Sequence, residues 1–135
     1  MNKFVLIDDD TTMNLVHSTT IKHHHPGSEV LEFKSSQRGL DYFKQLIAND
    51  EDFPEFLFLD INMPEINGFD FLQAFNKFPA EKTKGIKIFM ITSSLDLRDR
   101  EKAFNFDTVY GFVCKPITIR TLKEILVTTE RRMDF

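Results

Sequence analysis

Short apolar runs alternate with amphipathic stretches along the 135-residue chain. Lys3–Ile7 reads as a buried strand that stops at Asp8-Asp9-Asp10. Glu29–Phe33 alternates like a strand, and Phe56–Leu59 is continuously apolar, as in a strand covered on both faces by helices. Ile86–Ile91 and Tyr110–Val113 complete five predicted strands. Between them fall stretches of helical spacing. Thr11 or Thr12 is expected to cap a first helix with Met13, Val16, Thr20 and Ile21 inward, ended by His25-Pro26-Gly27. Gln37–Ala48 follows with Leu40, Phe43, Leu46 and Ile47 on one side, then Gly68–Phe78 through Phe71, Leu72, Phe75 and Phe78. Asp96–Phe104 carries a weak stripe. Ile119–Thr129 is expected to turn Leu122, Ile125, Leu126 and Thr129 inward. Five strands alternating with five helices predict an α/β fold, helices covering both faces of a parallel sheet.

Composition narrows the class. Hydrophobic residues make up 41% and charged residues 28%, which excludes a disordered or fibrous chain. No repeat, linker or composition shift divides the sequence, so one domain over residues 1–135 is expected, with no separate output domain. The apolar runs Phe4–Ile7 and Phe56–Leu59 are four residues each, against about 20 for a membrane span, and no leader precedes them. No membrane partner and a cytoplasmic location are therefore expected. A net charge of −4 argues against nucleic acid as a partner. The single cysteine, Cys114, excludes an intrachain disulfide and a thiolate zinc cage.

In open α/β sheets ligands bind beyond the carboxyl ends of the strands. There the sequence puts Asp8, Asp9 and Asp10, then Asp60, then Thr92, Ser93 and Ser94, then Lys115-Pro116. Carboxylates crowded together raise one another's pKa or call for a cation. A hard, partly hydrated divalent ion such as Mg²⁺ answers that need. The plainer reading of Asp10, Thr11 and Thr12 is helix capping.

Leu59-Asp60-Ile61-Asn62-Met63-Pro64, with Gly68 completing an Asp-x-x-Met-Pro-x-x-x-Gly pattern, resembles the phosphoacceptor segment of response-regulator receiver domains. Asp8-Asp9, Thr92 and Lys115-Pro116 agree in order, and the likeness runs from Lys3 to about Glu130. The resemblance implies a doubly wound, flavodoxin-like sheet of order 2-1-3-4-5. It also implies that Asp60 accepts a phosphoryl group from a histidine kinase or histidine phosphotransfer protein. Asp8, Asp9, Asp60 and the Asn62 carbonyl would hold Mg²⁺, Asp8 mostly through water, and Lys115 would meet the phosphoryl oxygens. Thr92 and Phe112 would form the switch, with Phe112 lacking the hydroxyl of members that carry tyrosine. Asn62 and Ser94 would tune dephosphorylation, and Lys115-Pro116 resembles the family's cis bond.

The implied protein is a stand-alone phosphorelay regulator rather than an enzyme, monomeric or dimerising on phosphorylation. Its output would pass through the face of the fourth predicted helix, the fifth strand and the last helix, which holds Arg98, Arg100, Arg120 and Lys123. The alternatives are an unphosphorylated pseudo-receiver and a receiver excised from a hybrid kinase. A haloacid-dehalogenase-type phosphatase would need an acid where Asn62 stands. His23-His24-His25 reads as surface, His17 as a packed or edge histidine, and Cys114 as a buried small side chain. Phe53, Phe106 and Phe135 lie outside the stripes and are candidates for a partner surface.

Overall fold

The computed structural model describes residues 2–93, 96–132 and 134–135, so Ser94 lies outside the described residues. Its elements are β1 (Lys3–Ile7), α1 (Thr11–His24), β2 (Glu29–Phe33), α2 (Ser36–Ala48), β3 (Phe56–Asp60) and α3 (Gly68–Phe75), then α4 (Ala80–Thr83), β4 (Lys87–Thr92), α5 (Leu97–Ala103), β5 (Val109–Cys114) and α6 (Ile119–Val127). The strands form one parallel sheet of order β2-β1-β3-β4-β5, as the resemblance implied.

Strand side chains alternate between the two faces of the sheet. Val5, Ile7, Leu57, Leu59, Ile88 and Met90 pack on one side against α2, α3 and α5, through Leu40, Phe43, Phe71, Phe75 and Ala103. Phe4, Leu6, Phe56, Phe58, Phe89 and Ile91 pack on the other against Ile21 of α1 and Leu122 and Ile125 of α6. Two apolar layers clamp the sheet, and the central strands are buried on both faces.

Six helices are described rather than the five expected. The expected Gly68–Phe78 helix ends at Phe75, where the Lys77 and Phe78 N–H groups bond back to Ala74 and Phe75 in tight turns. Pro79 cannot continue that helix, and the short α4 begins after it. The last helix stops at Val127, because Thr128 turns extended, and Thr129 is exposed rather than inward.

The inward face of α1 is the main correction. Asn14, His17, Ser18 and Ile21 are buried, whereas Val16 is 40% exposed. The helical period is as expected but the phase differs, because this helix buries polar side chains. Asn14 Nδ2 donates to the carbonyls of Asp8 and Phe33, and His17 accepts from the backbone of Ile117. A polar group with a partner can occupy a core position that hydrophobicity does not mark. The cap is Asp10, as its capping reading has it, its carboxylate accepting from Met13 N–H, while Thr11 and Thr12 do not cap the helix.

Cys114 is exposed rather than buried, at the end of the edge strand β5. Phe53, Phe106 and Phe135 pack against the core instead of standing free. Phe53 joins Phe43, Phe75 and Phe78 in a cluster of tilted and edge-on rings. Phe43 is fully buried there, with the rings of Tyr42, Phe53, Phe71 and Phe75 around it. Phe43→Ala is expected to lower unfolding free energy by about 3–5 kcal/mol. Urea denaturation measures this, and a loss below about 1 kcal/mol would show that the cluster does not anchor α2.

Candidate functional site

Parallel strands in register end together, so residues just past their carboxyl ends become neighbours. Ile7 of β1 pairs with Leu59 of β3, Asp60 with Ile91 of β4, and Thr92 with Cys114 of β5. Asp8, Asp9, Asp60, Thr92 and Lys115 therefore gather at one edge of the sheet. The carboxylates of Asp8, Asp9 and Asp60 have oxygens within 4.8 Å of one another. Lys115 Nζ lies 2.7 Å from Asp8 Oδ2 and 3.2 Å from Asp60 Oδ1. Asp8 and Asp60 are buried, and Asp9 is exposed at the mouth.

The backbone fixes these groups. Asp8 Oδ1 accepts from Asp10 N–H, and Lys115 N–H donates to Thr92 O at 2.8 Å. The Lys115-Pro116 bond is cis, as the resemblance implied. Past Asp60 the chain turns through exposed Asn62 to the capping box of α3, where Asn67 accepts from Phe69 and Asp70 N–H and Asp70 reaches back to Asn67 N–H. Gly68 N–H donates to Ile61 O, and a Cβ at Gly68 would fall 2.7 Å from Asp60 O. Only glycine lets the start of α3 come this close to the acidic residue. The spacing of Gly68 from Asp60 thus has a steric cause.

Electrostatics follow from crowding. Burial pushes the Asp60 carboxyl up to about 6; the Asp8 charge adds to the rise and Lys115 opposes it. For Lys115, burial pulls the pKa down, but the hydrogen bond to Asp8 and the charges of Asp60 and Asp8 outweigh it, and the net shift is upward. Three carboxylates and one ammonium leave net negative charge on hard oxygen donors. That donor set fits a divalent ion of the Mg²⁺ type.

Thr92 is fully buried at the end of β4. Phe112 is buried on β5, its ring 5.9 Å from the Arg100 guanidinium. The sequence reads His17 as a packed or edge histidine, and the structure gives it a definite partner. Its Nε2 accepts the Ile117 N–H at 3.0 Å, tying α1 to the loop that carries Lys115. Burial lowers its pKa to about 4, Asp8 resisting and Lys115 assisting, so the ring is neutral at pH 7 and its proton sits on Nδ1. The spacing of Asn14, His17, Ser18 and Ile21, all on one helical face, was the available signal. Among the described residues, the only metal-competent group of His, Cys, Asp and Glu is Asp8-Asp9-Asp60, and the consecutive histidines form none.

The comparisons agree with this geometry. The chain matches the response regulator receiver domain family over residues 4–127 and belongs to it. A two-component response regulator from Cytophaga hutchinsonii is 30% identical, with TM-score 0.85 over 93% of this chain and 94% of that one. A response regulator receiver protein from Dyadobacter fermentans is 28% identical, with TM-score 0.82 over 93% and 95%. A CheY-like receiver domain protein from Methanospirillum hungatei, 21% identical, shares the fold with TM-score 0.74 over 93% and 90%. No match was found among curated proteins.

Two predictions follow from the charges and the buried bond. The folded state holds the Asp60 proton up to about pH 6, whereas the unfolded chain releases it near 3.8. Stability from this group is therefore lost as pH rises through that window. Without divalent ions, Asp60→Asn is expected to be more stable than wild type by about 1–3 kcal/mol at pH 7. The gap should close as pH falls toward 4, and the opposite pH response of His17 cancels in the comparison. Urea unfolding from pH 4 to 8 reads it, and a pH-independent gap would contradict the charge origin. His17→Leu strands the Ile117 N–H and should cost about 1–3 kcal/mol, with His17→Gln recovering part. Equal stability of the Leu variant in the same denaturation assay would contradict that role.

Proposed function

We propose that this receiver domain is a phosphorylation-controlled switch, with Asp60 as its acceptor. The observation that supports it best is Lys115 Nζ bridging Asp8 and Asp60 inside the three-carboxylate cluster. An Asp60 carboxylate oxygen attacks the phosphorus of a phosphohistidine on a histidine kinase or phosphotransfer protein. The P–N bond breaks as the O–P bond forms, and the imidazole leaves with the electron pair. Little covalent work is asked of the protein, and the rate depends on alignment and charge neutralisation. Lys115 supplies one fixed positive charge, already aimed at the acceptor carboxylate. Asp8, Asp9, Asp60 and the Asn62 carbonyl would hold Mg²⁺, which when bound supplies the remaining positive charge for the incoming phosphoryl oxygens.

Thr92, at the end of the adjacent strand, would donate its hydroxyl to the acyl phosphate. Its movement toward Asp60 would open space for Phe112, whose ring can report the change only by packing, since it has no hydroxyl. Asn62, two residues past the acceptor and exposed, and Ser94 would influence how water reaches the phosphoryl group. The protein acts in this reading as a phosphoacceptor rather than an enzyme, and its output is contact between proteins at α5, β5 and α6. No described helix is long and apolar enough to cross a membrane, and a cytoplasmic site of kinase contact belongs to the same proposal.

Intact mass after incubation with acetyl phosphate should show one added phosphoryl group that needs both Mg²⁺ and Asp60. The adduct should be absent in Asp60→Asn. A stable adduct in that variant would place the acceptor elsewhere. Absence of both an adduct and accelerated phosphate release in wild type would favour an interaction module that is never phosphorylated.

A further inference from the structure

The strand order leaves β5 at an edge of the sheet, and an edge strand offers unpaired backbone groups to any extended segment. After α6 the chain does not leave this edge. Thr128 turns extended, its carbonyl accepting from Lys87 Nζ, and Arg131 and Arg132 lie beside β5. Arg132 N–H donates to Tyr110 O at 2.8 Å. Arg131 Nε donates to Val109 O at 2.6 Å, and its Nη2 donates to Phe104 O and Phe106 O at 2.7 and 2.9 Å. The Arg131 guanidinium also lies over the Phe104 ring.

Farther along, Phe135 stands edge-on to Phe89 with ring centroids 5.2 Å apart. It fills a recess that exists because position 111 is glycine, where a Cβ would lie 2.3 Å from the Phe135 ring. Asp134 pairs with Arg100, and the Arg132 guanidinium sits 3.9 Å from the Phe135 ring centroid.

We propose that the groove between α5 and α6, floored by β5, is a docking groove for an extended basic and aromatic segment, and that Arg131, Arg132, Asp134 and Phe135 are its occupants within the same chain. The contacts are those of strand addition, with main-chain bonds for affinity and a side-chain recess for selectivity. The occupant is displaceable because its outer contacts are exposed. The side chains of Asp134 and Arg132 are 68% and 50% accessible, so their ion pairs are screened and weak. A partner that reads this face must displace the segment, and one with an aromatic ring for the Gly111 recess and an arginine for the Phe104, Phe106 and Val109 carbonyls would do so. Arg100 also faces the Phe112 ring, so the occupant and the proposed switch share one cation. That this groove reports phosphorylation rests on the proposed function above, whereas its occupancy does not.

The probe is a fluorescently labelled synthetic peptide of residues 129–135, titrated by anisotropy into the full chain without phosphodonor or divalent ion. Wild type is expected to bind it at least tenfold more weakly than Arg131→Ala/Phe135→Ala, in which the groove is vacated. Asp134→Lys, an exposed change that leaves the core untouched, is expected to shift affinity in the same direction. It carries the test should the double variant not fold. Equal affinity across the proteins, or no binding to the variants, overturns the proposal. So does a wild-type dimer in sedimentation that the double variant lacks, since the segment would then occupy a second copy. With no phosphodonor present, these outcomes are independent of whether Asp60 accepts phosphate.

Discussion

The structure turns on unbalanced charge held at the carboxyl edge of the sheet. Asp8 and Asp60 are buried, Asp9 sits beside them, and one ammonium, from Lys115, reaches the two buried carboxylates. Burial and the neighbouring Asp8 hold the Asp60 proton to about pH 6. Such a cluster weakens the fold when its carboxylates are ionised and metal-free, and the same imbalance makes it a place that favours a cation. Much of the surrounding architecture keeps those four side chains in place against their own repulsion.

Three devices do so. Buried strands with Phe4, Val5, Leu57, Phe58, Phe89 and Met90 on alternate faces give the carboxylates a rigid base. Gly68 lets α3 begin against the backbone of Asp60, which pins the loop through Asn62. Polar side chains of α1 complete the support: Asn14 bonds the Asp8 and Phe33 carbonyls, and His17 bonds the loop just past Lys115. The first helix therefore acts on both charges of the site, from a face that water-seeking residues would ordinarily avoid.

The face at β5 has a different character. Phe112 is buried behind it, Arg100 spans from that ring to Asp134, and the chain's own final residues lie along the strand edge. A small recess at Gly111 and a short row of carbonyls are enough to hold an extended segment. Thr92 ends β4 beside the acidic cluster, and Phe112 lies on β5 next to the glycine that Phe135 covers.

Much was legible from order alone. The alternation of apolar runs with helical stretches determined an α/β sheet. The residues Asp8, Asp9, Asp60, Thr92 and Lys115 were identifiable because each follows a recognisable strand, and parallel strands end at one edge. Local patterning could not phase α1, since its inward positions are Asn14, His17 and Ser18, whose burial depends on acceptors and donors that come from Phe33 and Ile117, far along the chain. Nor could it place Phe53, Phe106 and Phe135, which fall outside any stripe and find their neighbours only through loops and the last segment. The exposure of Cys114 depends on β5 being an edge strand. What the sequence by itself determined was the elements and the chemical groups at their ends, because periodicity and strand direction are local properties. Only the tertiary structure decided the Lys115 bridge, the His17 bond and the groove under Phe135, because each joins residues whose distance in space no local pattern encodes.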